Sequence, residues 1–411
     1  MWLFIQPNDA IFLRDGRAFD AGGNLYAGNL FPPYPSGCYS MIRTLLVHQV
    51  STTVDYSKNN FFNAVPEEYK ALLGNIDQKG NLSVKGPLIG KKDDAISLYI
   101  PAPADLYYKK PEDIKDDVDW YLLQPKKDHL LNDFSDLDMP FLESGFSNDA
   151  LHKELKPAEY YLAGGALKKY LEGQTSNSHL MTAPINQNDI TAKLWVSEPS
   201  TIIEREDSNL TAKKHQLAYP EFTRMKEDTG LVLQVSDDLA SHFKDVHIAR
   251  LGGENRMCHV SKGEIRPIVD TQKIIDRILD TGRFKVFLLT PGFFRHNGYY
   301  PDFLTPPSGY LPEGEWHVNG HTKKVRLITI AVQRVLRIGG WNLAKGVPKT
   351  MVKAVPAGTV YYFEMVDFAP NKDKDWITSL VQSAFPGTLP GDIDYCKQGF
   401  NTFFTGGWNY V

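Results

Sequence analysis

The sequence predicts an α+β protein built of two ferredoxin-like (RRM-like) domains, the first interrupted by a long insertion. Three observations lead there. Apolar spacing reads strand, helix, strand, strand, helix, strand in the first part of the chain, and a related but less complete order in the second. The chain has 411 residues, more than the roughly 250–300 at which one hydrophobic core stops growing. It is 42 % hydrophobic with 7 Trp, 20 Tyr and 22 Phe, so a sizeable core is available and a disordered or collagen-like chain is excluded.

The elements follow in order. Met1 to Ile5 and Ala10 to Leu13 read as an opening strand and its continuation, followed by the loop Arg14-Asp15-Gly16-Arg17. Phe31-Pro32-Pro33-Tyr34-Pro35 stiffens the backbone before a helix whose Cys38, Met41, Ile42, Leu45 and Leu46 form one apolar stripe, with Ser36 as N-cap. From about 51 to 193 the pattern is irregular, acidic and tyrosine-rich; apart from a strand at 96–100 and a helix at 158–171, it is read as the insertion. Strand patterns return at 194–196, 201–204, 230–235 and 246–251, with a short helix at 237–243. The first domain is therefore 1–268 and the second 269–411. The second opens with a helix capped by Thr271, striped by Ile274, Ile275, Ile278 and Leu279 and stopped by Gly282. Strands at 284–289, 325–338 and 359–363, a helix capped by Asp375, and a strand at 400–404 complete it.

Charge is unevenly spread. The formal total is −4, which argues against a polycation such as a histone. Yet 105–159 holds 14 acidic and 7 basic residues, while 321–359 holds 8 basic residues and no acidic one. Removing that +8 leaves −12 for the remainder. Such a block is an electrostatic footprint for a polyanion, or a face whose acids come from elsewhere in the fold. Cys38, Cys258 and Cys396 lie far apart without a CxxC pair, so no disulfide framework or zinc knuckle is written. The N-terminus is a poor signal peptide and no apolar run approaches the ~18–20 residues of a membrane helix. The expectation is a soluble cytoplasmic protein.

Gly-Gly-Trp-Asn occurs twice, at Gly339-Gly340-Trp341-Asn342 and at Gly406-Gly407-Trp408-Asn409, each after a strand-like run. Paired glycines admit a close ligand, and an indole offers a stacking face worth ~1–3 kcal/mol per base. Trp341 is the first stacking candidate and Trp408 the second. Arg14 and Arg17 project from one loop and could clamp a phosphate. Catalytic signatures are weak: His317 and His321 stand four apart in a loop-like setting, and no GxSxG, Walker A or HExxH is present. No cofactor or metal is expected.

Taken together, Phe12-Leu13-Arg14-Asp15-Gly16-Arg17-Ala18-Phe19, the Phe31-Pro32-Pro33 turn before a helix bearing Arg43, Leu251-Gly252-Gly253-Glu254-Asn255-Arg256, and Gly339 to Asn342 with Val355-Pro356-Ala357-Gly358 resemble one family in order across almost the whole chain. It is the third subunit of the Cmr complex, the type III-B CRISPR effector, a Cas-five-like member of the RAMP superfamily. The resemblance implies a non-catalytic, RNA-binding subunit that grips the 5′ tag of the guide RNA (crRNA). It implies docking of the large Cas-ten-type subunit and contact with the Cmr backbone subunits, with no membrane involved. Phosphate candidates are then Arg14, Arg17, Arg43, Arg256, Lys345, Lys349 and Lys353. Two departures stand out: the acidic insertion, and a Gly399 to Gly407 segment less glycine-dense than the superfamily's usual loop. The competing reading is a metal-independent, Cas-six-like endoribonuclease that processes precursor guide RNA through a single histidine.

Overall fold

The computed structural model describes residues 1–14, 26–51, 65–75, 78–109, 120–125, 142–143, 155–158, 160–173, 190–191, 194–209, 211–243, 246–295, 298–305, 311–342 and 347–410. Two large antiparallel sheets dominate a mixed α+β chain with more strand than helix. In the first half, β1 is Trp2–Pro7, β2 Val84–Lys92, β3 Ile96–Pro101, β4 Tyr161–Leu162, β5 Ile190–Thr191, β6 Thr229–Val235, β7 Val246–Arg250 and β8 Met257–Gly263; they form one sheet in the order β5-β4-β3-β2-β6-β1-β8-β7. Helices α1 (Pro35–Val50), α2 (Glu67–Leu73) and α3 (Gly164–Glu172) belong to this half.

The second half opens with α4 (Thr271–Thr281). Its strands are β9 Arg283–Leu288, β10 Leu304–Thr305, β11 Glu313–Val318, β12 His321–Ala331, β13 Leu336–Ile338, β14 Trp341–Asn342, β15 Val347–Pro348, β16 Val352–Ala354, β17 Val360–Met365, β18 Gly387–Thr388 and β19 Thr402–Gly407. Helices α5 (Pro370–Ser383) and α6 (Ile393–Lys397) lie between β17 and β19. The sheet order is β10-β11-β12-β17-β9-β19-β18; β13 pairs with β16 and β14 with β15 outside it. A smaller sheet joins Trp195–Pro199, Ile202–Arg205 and Ala212–Met225 to Tyr26–Ala27.

The first sheet is a wall between two cores, and strand alternation explains how. Leu3, Ile5, Ile89, Leu231 and Leu233 enter the core that holds the α1 stripe. Phe4, Leu88 and Val232, on the other face, join the core shared with the second half. The stripe itself is as expected: Cys38, Met41, Ile42, Leu45 and Leu46 are buried, each large apolar side chain contributing ~1.5–3 kcal/mol.

Several expectations need correction. Most of 51–193 was expected to be an insertion, yet β2 lies inside the sheet between β3 and β6, and β4, β5 and α3 also come from that stretch. Burial on both faces strips β2 of the polar alternation that marks a strand. The single strand expected at 325–338 is two, β12 and β13, separated by 332–335. Pro35 opens α1 with Tyr34 at the N-cap, rather than Ser36, as suits proline's missing N–H. Asp270, not Thr271, caps α4, accepting from Gln272 N at 3.1 Å. Helix α5 starts at Pro370, so Asp375 lies inside it. The helix expected at 158–171 starts only at Gly164.

The halves meet through a buried polar knot. Asp105 and Lys285 (on β9) are 0 % and 2 % exposed. The Asp105 carboxylate accepts from the Tyr170 hydroxyl (3.0 and 3.1 Å to its two oxygens) and from the Tyr362 hydroxyl. The Lys285 ammonium sits 3.4 Å from the centre of the Tyr170 ring. Burial pushes the lysine down to about 8, against the opposing pull of Asp105. Burial also raises Asp105, with Lys285 and the two hydroxyls working the other way.

Candidate nucleic-acid interface

The basic block divides when its partners are located. Lys323 meets Asp373 of α5 at 2.8 Å, and Lys324 meets Glu313 of β11 at 2.7 Å. Arg326 donates its Nε to the same Glu313 at 2.7 Å. Hydrogen bonds from Lys324 and Arg326 hold Glu313 below the usual carboxylate range. Those three cations are therefore engaged by two carboxylates from outside the block, Asp373 and the shared Glu313.

The others stand on the excursion between β12 and β17. Arg334, Arg337, Lys349 and Lys353 are exposed, and no described acid pairs with them. Register places Arg337 of β13 directly opposite Lys353 of β16. Like charges facing each other across an antiparallel pair destabilise it. Gly340 (φ +144°) adopts a backbone conformation that other residues rarely take, and its carbonyl accepts from Lys349 N at 2.8 Å. The backbone of Trp341 and Asn342 pairs with Pro348 and Val347; their side chains and Lys345 lie outside the described residues.

The foot of this hairpin gathers motifs that are distant in sequence. Ile338 and Ala354 form a small core with Phe293 and Phe400, against which Tyr34, Leu336, Val352 and Tyr395 pack. Tyr34 brings the Phe31-Pro32-Pro33 turn and the N-terminus of α1, which has no side-chain cap and no acid in its first turn. Leu13 lies 3.7 Å from where a Gly37 Cβ would stand. Gly253 N donates to Phe12 O at 2.7 Å, and a Cβ on Gly252 (φ +84°) would fall 2.3 Å from that oxygen. Phe12 and Leu13, the Gly252–Gly253 turn and the start of α1 are thus neighbours.

The individual candidates fare differently. Arg14 is exposed and bridges through its backbone to Asn29. Arg17 lies outside the described residues. Arg256 is ion-paired to Asp9 at 2.7 Å and stands over the Phe222 ring at 4.9 Å; Asp9 is shared with Arg224 at 2.8 Å. Arg43 is corrected: its guanidinium donates to the carbonyls of Leu73 (2.7 Å) and Asn75 (2.6 Å), closing the turn after α2. Trp408 is also corrected. It is 2 % exposed and its indole N–H donates to Phe284 O and Phe363 O, both at 3.0 Å. Gly406 and Gly407, in the same tetrapeptide, lie in buried β19 because a side chain there would strike Leu171 O and Arg277. Gly339 and Gly340 remain at the hairpin. A residue missed from the sequence is Lys79, whose ammonium lies 3.9 Å from Asp394; nothing local marks it.

His317 Nδ1 lies 2.6 Å from Thr322 Oγ1 at the β11–β12 hairpin. Among the described residues no three His, Cys, Asp or Glu side chains gather to hold a metal ion, and no described helix is long and apolar enough to cross a membrane.

The sequence from 3 to 408 matches the family described as CRISPR-associated protein (Cas_Cmr3), and the chain belongs to that family, as a Cas-five-like Cmr subunit. No curated protein matches the chain. Among solved structures it is similar to a chain of a cryo-EM structure of type III-B Cmr-beta bound to cognate target RNA and AMPPnP (13 % identity, TM-score 0.48, covering 98 % of this chain and 96 % of that one). A second, of Cmr-beta bound to cognate target RNA, has 14 % identity and a TM-score of 0.46 with the same coverage.

Proposed function

We propose that this subunit is non-catalytic, grips the 5′ tag of the guide RNA at the 332–355 hairpin, and docks the large Cas-ten-type subunit and the Cmr backbone subunits on its other surfaces. The observation that carries the reading is Arg337 facing Lys353 within a segment that has no acid. Two cations held together with no described carboxylate paired to them gain from a polyanion, and RNA phosphates supply it. Arg14, Arg17, Lys345 and Lys349 add to the field, Arg256 being paired with Asp9, and Trp341 offers a face for a splayed base. The uncapped N-terminus of α1 nearby favours the same sign of ligand.

The strand orders β8-β1-β6-β2 and β19-β9-β17-β12 support reading each half, 1–268 and 269–411, as ferredoxin-like. Each is the fourth, first, third and second strand of the split βαβ pattern. Protein docking is supported by the acidic 105–159 stretch and by Ile202 and Ile203. Adjacent on one strand and 48 % and 50 % exposed, they leave neither of its faces covered.

The test is a salt titration of guide-RNA binding by the reconstituted complex carrying Arg337→Glu with Lys353→Glu. Losing two phosphate contacts should flatten the slope of log affinity against log salt by roughly 1.4, at ~0.7 per contact on a single strand. An unchanged slope removes the hairpin from the site.

A further inference from the structure

One more cation stands at the foot of the basic hairpin, and it comes from the other half of the chain. Lys79 lies just beyond α2, on a turn closed by the Gly74–Lys79 bridge and by the Asn75 side chain, which accepts from Gln78 N at 2.8 Å. Arg43 pins the same turn from α1 through two carbonyls. Gly74, Asn75, Gln78 and Lys79 are therefore tied to one another, and Leu73 and Asn75 to α1. The ammonium of Lys79 reaches one described carboxylate, Asp394, at 3.9 Å. That is well beyond the ~2.7–2.9 Å of a charge-assisted hydrogen bond, and Asp394 is 56 % exposed. Next to it on α6, Tyr395 stacks on Phe293 with ring centres 3.9 Å apart, inside the small core that carries β13 and β16. Asp394 and Lys79 thus stand where the hairpin leaves the body.

The hairpin contributes Lys349. Its N–H is held by Gly340 O, and its stem lies 3.9 Å from where a Gly340 Cβ would be. Although Lys349 is exposed as a residue, partial desolvation of its ammonium and, after it, the charge of Lys79 hold it below the ordinary lysine range. On α1, the Tyr39 hydroxyl is buried with no hydrogen-bond partner among the described residues, in the fields of Arg43 and Asp394. Two ammonium groups, Lys79 and Lys349, thus act on each other through their charge, and the one described carboxylate that Lys79 reaches, Asp394, is loosely engaged.

We propose that Lys79 and Lys349 together hold one phosphate group of the guide RNA backbone, with Asp394 as the carboxylate that the phosphate displaces. The inference rests on the reading of the hairpin as the RNA site, and adds a contact from outside it. A phosphate clamped between the hairpin and the α2 turn sets the register of the strand on the protein without reading its sequence.

The test uses the reconstituted complex and a synthetic guide RNA in which single phosphates are replaced, one position at a time, by uncharged methylphosphonates. Lys79→Ala should reduce the salt slope by roughly 0.7. One methylphosphonate position should weaken binding to the parent but not to Lys79→Ala or Lys349→Ala. Asp394→Asn should tighten binding, the opposite of what loss of a structural ion pair would do. If Lys79→Ala and Asp394→Asn bind as the parent does while Arg337→Glu with Lys353→Glu weakens binding, the clamp is refuted and the hairpin site stands. If that hairpin variant also leaves binding unchanged, the RNA site itself is misplaced. A melting profile of each variant separates weakened binding from a damaged fold.

Discussion

Replacing Lys285 with Met perturbs the knot between the two sheets, and the outcome can be worked out in advance. Lys285 and Asp105 are fully buried, and both carboxylate oxygens accept hydroxyl donors, as an ionised carboxyl does. Methionine conserves the stem but leaves Asp105 with hydroxyl partners only. Removing one member of a buried charge pair costs about 3–5 kcal/mol, whereas replacing both with uncharged residues costs far less. The cycle of Lys285→Met, Asp105→Asn and the double variant should therefore show a coupling of roughly 2–3 kcal/mol. The sign with pH is also set. Lys285 falls from 10.5 when unfolded to about 8 when folded, so between those values the unfolded chain binds more protons and stability rises with pH. That contribution, ~3 kcal/mol at ~1.4 kcal/mol per pH unit, is present above 10.5 and lost as pH falls through about 8. The assay is denaturant unfolding at pH 7 to 10, with amide exchange followed in β9. A coupling below about 0.5 kcal/mol, within the error of additivity, or a parent pH slope matched by Lys285→Met, would refute the reasoning.

Two further outcomes follow from the packing. Trp408→Phe removes the donor to two buried carbonyls and should cost ~1–3 kcal/mol while leaving RNA crosslinking intact; a variant of parental stability that binds RNA poorly would restore Trp408 as a stacking residue. Gly406→Ala places a Cβ 2.5 Å from Leu171 O, a backbone atom that cannot step aside, so the melting temperature should fall by an amount equivalent to ~1–3 kcal/mol. A melting curve that superposes on the parent's would show that β19 and α3 do not approach so closely.

Local periodicity made the helix stripes of α1, α4 and α5 readable, together with β12 and its partner β17, because apolar spacing is a short-range property. β2 escaped for a physical reason. Leu88 faces one core and Ile89 the other, so no polar residue alternates with them. The two Gly-Gly-Trp-Asn tetrapeptides show the same limit more sharply. Identical in sequence, one rises with the hairpin and the other closes the core, and only the neighbours, Lys349 in one case and Leu171 in the other, separate them.

By itself the sequence determined the α+β class, the family resemblance and the location of an acid-free basic block, since all three are properties of residue order. Tertiary structure alone decided which of those charges remain available. Lys323 is neutralised by a carboxylate 50 residues away, while Arg337 is set against Lys353 by strand register. Charge is additive along a chain, but its effect depends on distance, and distance is fixed only when the sheets close.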